Sequence, residues 1–332
     1  MGKILLALFF LSTILITYSQ TRFEYDYQQM GTQIRLVFYA TEKQKADSIA
    51  NLVFNRIDDL NNKLSDYQED SELNNLCKQV GQDVVVSEDL YKILFESVRI
   101  SQISNGAFDI TVGPLIRLWR KARKINILPD KNELDKAKQS VGYLYIKFPQ
   151  KNTVRLMKPG MQLDLGGIGK GFTADEVLKV LEINGITSAL IDMGGDISVS
   201  NPPPNRDYWN LAFSYYNKYG KEISQEIKMK NQSVATSGDL FQSIEVDGIK
   251  HSHIVDPKTG MALTNSIQVT AIAENGAKAD AYASAFSVLG FERVDAHTQE
   301  ITNLKVFMVG YTNDGYQQWS SPDFRKFLEQ QK

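Results

Sequence analysis

Cysteine is almost missing from this chain of 332 residues: Cys77 is the only one. No intramolecular disulfide can form, and no cysteine-based zinc site can be built. Cys77 stands among Leu73, Leu76 and Val80 and reads as a small buried hydrophobe. Histidine is scarce as well, with His251, His253 and His297 the full set of three. That leaves no Cys/His cluster for zinc. Neither charge sign is in excess; the formal net charge of −2 excludes a broad electrostatic nucleic-acid surface. No Gly-x-Ser-x-Gly elbow of a serine hydrolase occurs, and no internal repeat. What is present is ordinary for a globular chain, with 42% hydrophobic and 23% charged residues. The length allows one large or two small domains with ample core.

Residues 1–20 read as an export signal. Lys3 is a minimal positive region, and the apolar run 4–16 is too short for a comfortable membrane span. Small and polar residues follow at Thr17, Ser19 and Gln20, so cleavage is expected near Gln20 and leaves a net charge of −3. The alternative is an uncleaved N-terminal anchor. In either case residues 21–332 form one body that lies outside the cytoplasm, periplasmic or at the outer face of the inner membrane. No cysteine stands near the signal end to carry a lipid.

Residues 23–29 and 33–39 read as strands joined by Met30-Gly31-Thr32. Apolar residues at Ala46, Ile49, Ala50, Val53, Ile57, Leu60 and Leu64 predict an amphipathic helix over Lys43–Leu64. Residues 65–76 read as a polar turn, and Ser87 as the cap of a helix carrying Leu90, Leu94 and Val98. Residues 108–115 read as an extended piece, and the basic run 117–124 around Trp119 as a solvated face. A hairpin is expected over 143–157. Further strands are expected at 189–193, 209–213, 226–229, 244–246, 251–255, 267–273, 306–310 and 317–320. An alanine-rich helix over 277–289 ends at Gly290. Many strands with segregated helices, without strict βα alternation, predict an α+β fold.

The chain is organised around residues 163–175. Met161, Leu163 and Leu165 alternate with Gln162 and Asp164 as in a strand, and glycines follow at 166, 167, 169 and 171. From Thr173 the apolar residues Val177, Val180 and Leu181 recur at helical spacing, and Asn184-Gly185 closes the helix. A glycine turn feeding a helix start presents backbone N–H groups at the positive end of the dipole and suits an anion. Lys170 adds a cation there and Asp164 an acceptor. The phosphate loop of nucleoside triphosphatases needs Ser or Thr after Gly-Lys, whereas Lys170 precedes Gly171. The dinucleotide fingerprint needs another glycine spacing. Taken alone, the stretch is a tight turn that uses glycine for its geometry.

Two further constellations carry chemistry. His253 precedes the sharp turn Asp256-Pro257-Lys258-Thr259-Gly260, which raises it as a general base near neutral pH. Asp280 and Ser284 lie four apart on the 277–289 helix and so share a face. Their hard oxygens suit Mg²⁺, although alone they read as a solvated Asp and a surface Ser.

In their joint order these stretches resemble the ApbE-like FAD:protein FMN transferases, once labelled thiamine-biosynthesis lipoproteins, over nearly all of the chain after the signal. The resemblance rests on Met30-Gly31-Thr32, Ser65-Asp66-Tyr67, Asp70-Ser71-Glu72-Leu73 and residues 108–115. It continues through residues 163–175, Met193-Gly194-Gly195-Asp196-Ile197, Ala235-Thr236-Ser237-Gly238-Asp239, residues 253–260 and residues 279–285. It implies an ApbE-like, T-fold-like arrangement of mixed sheets and packed helices with the active site in a cleft between two subdomains. It implies a Mg²⁺-dependent enzyme that splits FAD and attaches FMN through a phosphoester to a threonine of an acceptor protein, releasing AMP. The acceptor would be an exported or membrane electron-transfer subunit. Metal ligands map to Gly167, Asp280 and Ser284, where the family usually has Thr at the last position. FAD contacts map to Met30, Tyr67, Ala107, Phe108, Asp109, Asp164, Lys170 and Ile254, and the base to His253. Two other outcomes share the site: a Mg²⁺-dependent FAD pyrophosphatase giving FMN and AMP, and an extracytoplasmic flavin-binding protein without turnover.

Overall fold

The computed structural model describes residues 20–238, 243–298, 301–312 and 315–330. The expected export segment before Gln20, and Asp239 at the end of the 235–239 motif, lie outside them. Two strands open the chain, β1 (Thr21–Gln29) and β2 (Thr32–Ala40), followed by helices α1 (Lys43–Leu64) and α2 (Glu72–Cys77). Strand β3 (Val84–Val85) precedes α3 (Glu88–Ile103), α4 (Gly113–Ile125) and α5 (Lys131–Lys138). The hairpin β4 (Ile146–Gln150) and β5 (Thr153–Leu156) leads to α6 (Gly169–Ile183), β6 (Ala189–Met193) and β7 (Ile197–Val199). Then come β8 (Trp209–Tyr216), β9 (Glu222–Met229), β10 (Gln232–Ser237), β11 (Ser243–Val246), β12 (Ile249–Ser252) and β13 (Ser266–Ala273). Helix α7 (Gly276–Thr298), β14 (Lys305–Thr312), β15 (Gly315–Ser320) and α8 (Pro322–Glu329) complete the fold.

The core element is an eight-stranded antiparallel sheet in the order β1-β2-β6-β7-β10-β13-β14-β15. Both of its faces are covered, and period-2 alternation sorts the side chains between them. On β2, Ile34, Leu36 and Phe38 pack with Ala46, Ile57 and Val177 of α1 and α6, whereas Val37 faces the opposite layer. On β14, Val306 and Met308 meet Ala281 and Phe286 of α7, whereas Phe307 and Val309 meet Trp209 of β8 and Phe324 of α8. One face therefore carries α1, α6 and α7; the other carries the β8–β9 hairpin and α8. A smaller lobe of α2, α3 and the β3-β5-β4 sheet extends the core that contains α7.

Several expectations change. Ser71 caps a short helix, α2, by accepting from Asn74 N at 3.1 Å, so residues 65–76 are not all turn. Residues 108–115 are not extended throughout, because α4 begins at Gly113 with Pro114 in its first turn. Residues 161–165 form no named strand; Gln162 makes only an isolated bridge to Val112. Helix α6 begins at Gly169, inside the glycine run, four residues before Thr173. Helix α7 bends at Gly290 (φ 67°) and continues to Thr298. The basic run 117–124 is not wholly a solvated face, since Trp119 is fully buried and Arg120 turns inward. Strand β12 ends at Ser252, so the strand expected over 251–255 stops before His253; His251 is buried and stacks on Trp119, with ring centroids 5.4 Å apart.

Candidate active site

The glycine bend, the start of α6 and the second turn of α7 meet closely. The contact depends on glycine at both helices: a Cβ on Gly171 would lie 2.1 Å from the carbonyl oxygen of Gly276. Asp175 of α6 then caps α7, accepting from Gly276 N at 2.6 Å and Ala277 N at 3.0 Å. This lock sets Asp280 and Ser284 against the bend. Asp280 Oδ2 accepts from Gly171 N at 3.3 Å, and a Cβ on Gly167 would stand 2.8 Å from Ser284 Oγ and 3.4 Å from Phe108 Cε2. Gly167, Asp280 and Ser284, assigned together from resemblance, are thus brought together, with Phe108 as a wall.

Asp280 is 7% exposed rather than solvated. Burial foremost, and the nearby Asp196 carboxylate next, push its pKa up to about 7, against the pull of Lys170 and the Gly171 N–H. Lys170 is ion-paired with Asp196. Burial works to lower the Lys170 pKa, and the carboxylates of Asp196 and Asp280 more than offset it. Asp196 reaches this position because Gly194 turns at φ 75° directly after β6, where a Cβ would lie 1.9 Å from Thr32 Oγ1. It belongs to the Gly194-Gly195-Asp196 signal noted in the sequence, but nothing in that signal revealed its partner.

The remaining assigned residues fall into four groups. Met30, in the left-handed region at φ 54°, lies over the start of α6; its Sδ accepts from Thr173 Oγ1 at 3.5 Å. Asp164 accepts from Gly166 N at 2.8 Å and from Arg120 Nη2 at 2.8 Å. Burial raises its pKa, Asp66 adds to this, and Arg120 opposes it. Tyr67 is 75% exposed beneath the Arg120 guanidinium, whose Cζ sits 4.1 Å from the ring centroid. Asp109 spends its carboxylate on its own loop, accepting from Thr111 N, Thr111 Oγ1 and Tyr143 N at 2.9, 2.7 and 2.9 Å. Beside it Ala107 is buried, and Ile254 is half-buried against the same core as Phe108. His253 follows the end of β12, half-buried, two residues from Val255 in the turn that Trp119 holds through Nε1 to Gly260 O at 3.0 Å.

Among the described residues no three His, Cys, Asp or Glu side chains gather as a metal-holding group. The set that fits a cation is instead one buried carboxylate with a single long N–H donor, a hydroxyl and the backbone of the bend. All of these are hard oxygens, the donor chemistry of Mg²⁺ rather than of zinc. The bend and Lys170 supply the matching anion side.

A sheet-based α+β fold that packs a cation-type oxygen set against an anion-type glycine bend defines an enzyme class that handles phosphate esters or anhydrides. Comparison with known proteins narrows this. The model of the ApbE family matches residues 30–308, and the chain belongs to that family. An FAD:protein FMN transferase of Vibrio cholerae is 30% identical over 277 residues, covering 82% of each chain. One of Treponema pallidum is 31% identical over 298 residues, covering 84% of this chain and 82% of its own. The solved flavin transferase ApbE of Vibrio cholerae superposes with a TM-score of 0.84 at 26% identity, over 93% of this chain and all of that one. The ApbE protein of Thermotoga maritima gives 0.80 at 26% identity, over 93% and 99%.

Proposed function

We propose that this chain is an FAD:protein FMN transferase that cleaves the diphosphate of FAD with Mg²⁺, attaches FMN to a threonine of an acceptor protein and releases AMP. The observation that carries the reading is that α7 lies against the glycine bend, with Ser284 beside Gly167 and Asp280 accepting from Gly171 N and acting on the charge of Lys170. A Mg²⁺ held there would neutralise diphosphate charge and polarise the phosphorus. The chain's own groups do the rest. Lys170, released from Asp196 toward a phosphate oxygen, and the N–H groups of the bend hold the anion. Phosphoryl transfer needs such charge stabilisation and alignment more than covalent help. His253 takes the proton from the threonine hydroxyl. Met30, Tyr67, Ala107, Phe108, Asp109, Asp164 and Ile254 hold the two ring systems of FAD, with Asp109 acting through the loop it shapes. The enzyme works after export, as one unit beginning beyond Gln20, on an exported or membrane electron-transfer subunit.

The test is incubation with FAD and Mg²⁺, with and without a threonine-bearing acceptor. Covalent FMN on the acceptor threonine by mass spectrometry is expected. Rapid AMP release that is indifferent to acceptor would replace transfer by hydrolysis, and FAD recovered unchanged would replace it by binding alone.

A further inference from the structure

The basic run of α4 divides by direction. Arg117, Lys121 and Lys124 are exposed, but Arg120 reaches inward, its side chain 23% exposed. Its guanidinium bonds two carboxylates from distant parts of the chain: Asp66 through Nη1, and Asp164 Oδ2 through Nη2 at 2.8 Å. Asp66 immediately precedes Tyr67, and Asp164 opens the glycine bend and accepts from Gly166 N. The same guanidinium lies over the Tyr67 ring, its Cζ 4.1 Å from the centroid. Tyr67 is nonetheless 75% exposed, so its exposure belongs to the face turned away from Arg120. An aromatic ring backed by a cation and open on its other side is a stacking surface for a flat heterocycle.

We propose that Arg120 is a positioning residue: it pins Tyr67 to the glycine bend and thereby sets the distance between the surface that stacks one ring of the dinucleotide and the bend that takes its diphosphate. The ligand's identity rests on the flavin-transferase reading. Arg is required because a planar fork can bond two carboxylates and stack on a ring at once, which an ammonium cannot. Arg120 touches no reacting atom, so its loss acts on FAD affinity rather than on the chemical step.

The experiment compares wild type, Arg120→Met, Arg120→Lys, Tyr67→Leu and the Arg120→Met/Tyr67→Leu double variant by FAD titration calorimetry and by kcat and KM for transfer. Arg120→Met should weaken FAD binding and raise KM about tenfold, with kcat within about threefold of wild type. Arg120→Lys, which keeps the cation and guards against a misfolded Met variant, should fall between. The double variant should be no worse than Tyr67→Leu, because the arginine acts through the ring. Titrations with AMP and with FMN identify the half that stacks: only one should weaken in Arg120→Met. Wild-type affinity in Arg120→Lys together with wild-type affinity in Arg120→Met overturns the proposal, as do fully additive losses or a fall in kcat at unchanged KM. A wild type that binds FAD but transfers no FMN would sink the flavin-transferase reading while leaving the binding result decisive for Arg120.

Discussion

A single carboxylate holds the most consequential tension in this protein. Asp280 is buried, faces Asp196 and has its pKa pushed up to about 7 from 3.8. For an acid with a raised folded pKa the sign is unfavourable: the cost is absent below the unfolded value and complete once pH passes the folded one. The metal-free protein therefore loses stability from Asp280 as pH rises from about 4 to 7. Replacing Asp280 with Asn removes that cost along with the proposed cation ligand. We expect Asp280→Asn without metal to melt above wild type at pH 7 while transfer falls by about a hundredfold or more, a figure typical of losing one electrostatic stabiliser. A drop in both melting temperature and activity would mean that the carboxylate serves the fold. Gly167 makes the complementary point, since any Cβ there would enter the space beside Ser284. The Asp280–Ser284 pair was visible in the sequence as a shared helix face. Its burial was not, because alanines on every side of α7 hide which face meets a neighbour.

Among the elements, two helix contacts carry the site. Gly171 and Gly276 let α6 and α7 touch backbone to backbone. Gly171→Ala should cost about 3 kcal/mol by overpacking and should lower metal affinity, read by urea melts and Mg²⁺ titration of the same sample. The second contact is Arg56 of α1, which bonds Asp89 of α3 and Glu176 of α6 at 2.5–2.8 Å. Arg56 foremost holds Asp89 down to about 2. The stability this gives is full above the ordinary carboxylate range and is lost as pH falls from about 4 toward 2, an amount near 2 kcal/mol. Arg56→Ala should cost about 3 kcal/mol at neutral pH and flatten that acid dependence, checked by melts between pH 2 and 5. Helix α1 was readable to its ends because seven apolar residues repeat on one stripe. Six of the eight strands of the large sheet were readable from their apolar and alternating runs, but β7 and β10 were missed, because β7 has three residues only and β10 is built of small and polar residues. The basic run of α4 was misread because charge alone does not show that Arg120 faces Asp66 and Asp164 across more than forty residues of sequence. The 161–165 stretch alternates like a strand yet makes only one bridge, at Gln162, and a backbone bond from Asp164 N to Ile110 O at 2.8 Å, since the residues after it turn into the bend.

At the scale of the whole molecule, the sheet is a backing covered on both faces: it fixes α6 and α7, and the lobe of α2, α3 and the β3-β5-β4 sheet shares the core of α7. None of the described helices is long and apolar enough to cross a membrane. In the function proposed above, FAD would stack one ring on Tyr67 and lay its diphosphate on the glycine bend. The claim beneath this picture is that a divalent ion joins α7 to the glycine bend. Anomalous diffraction from crystals grown with Mn²⁺ and FAD tests it directly. The account predicts one strong peak ligated by the Asp280 carboxylate, Ser284 Oγ and the bend at Gly167, with diphosphate oxygens completing the shell. Bound FAD with its diphosphate at the bend, no peak beside Asp280, and undiminished transfer in the same preparation would contradict it.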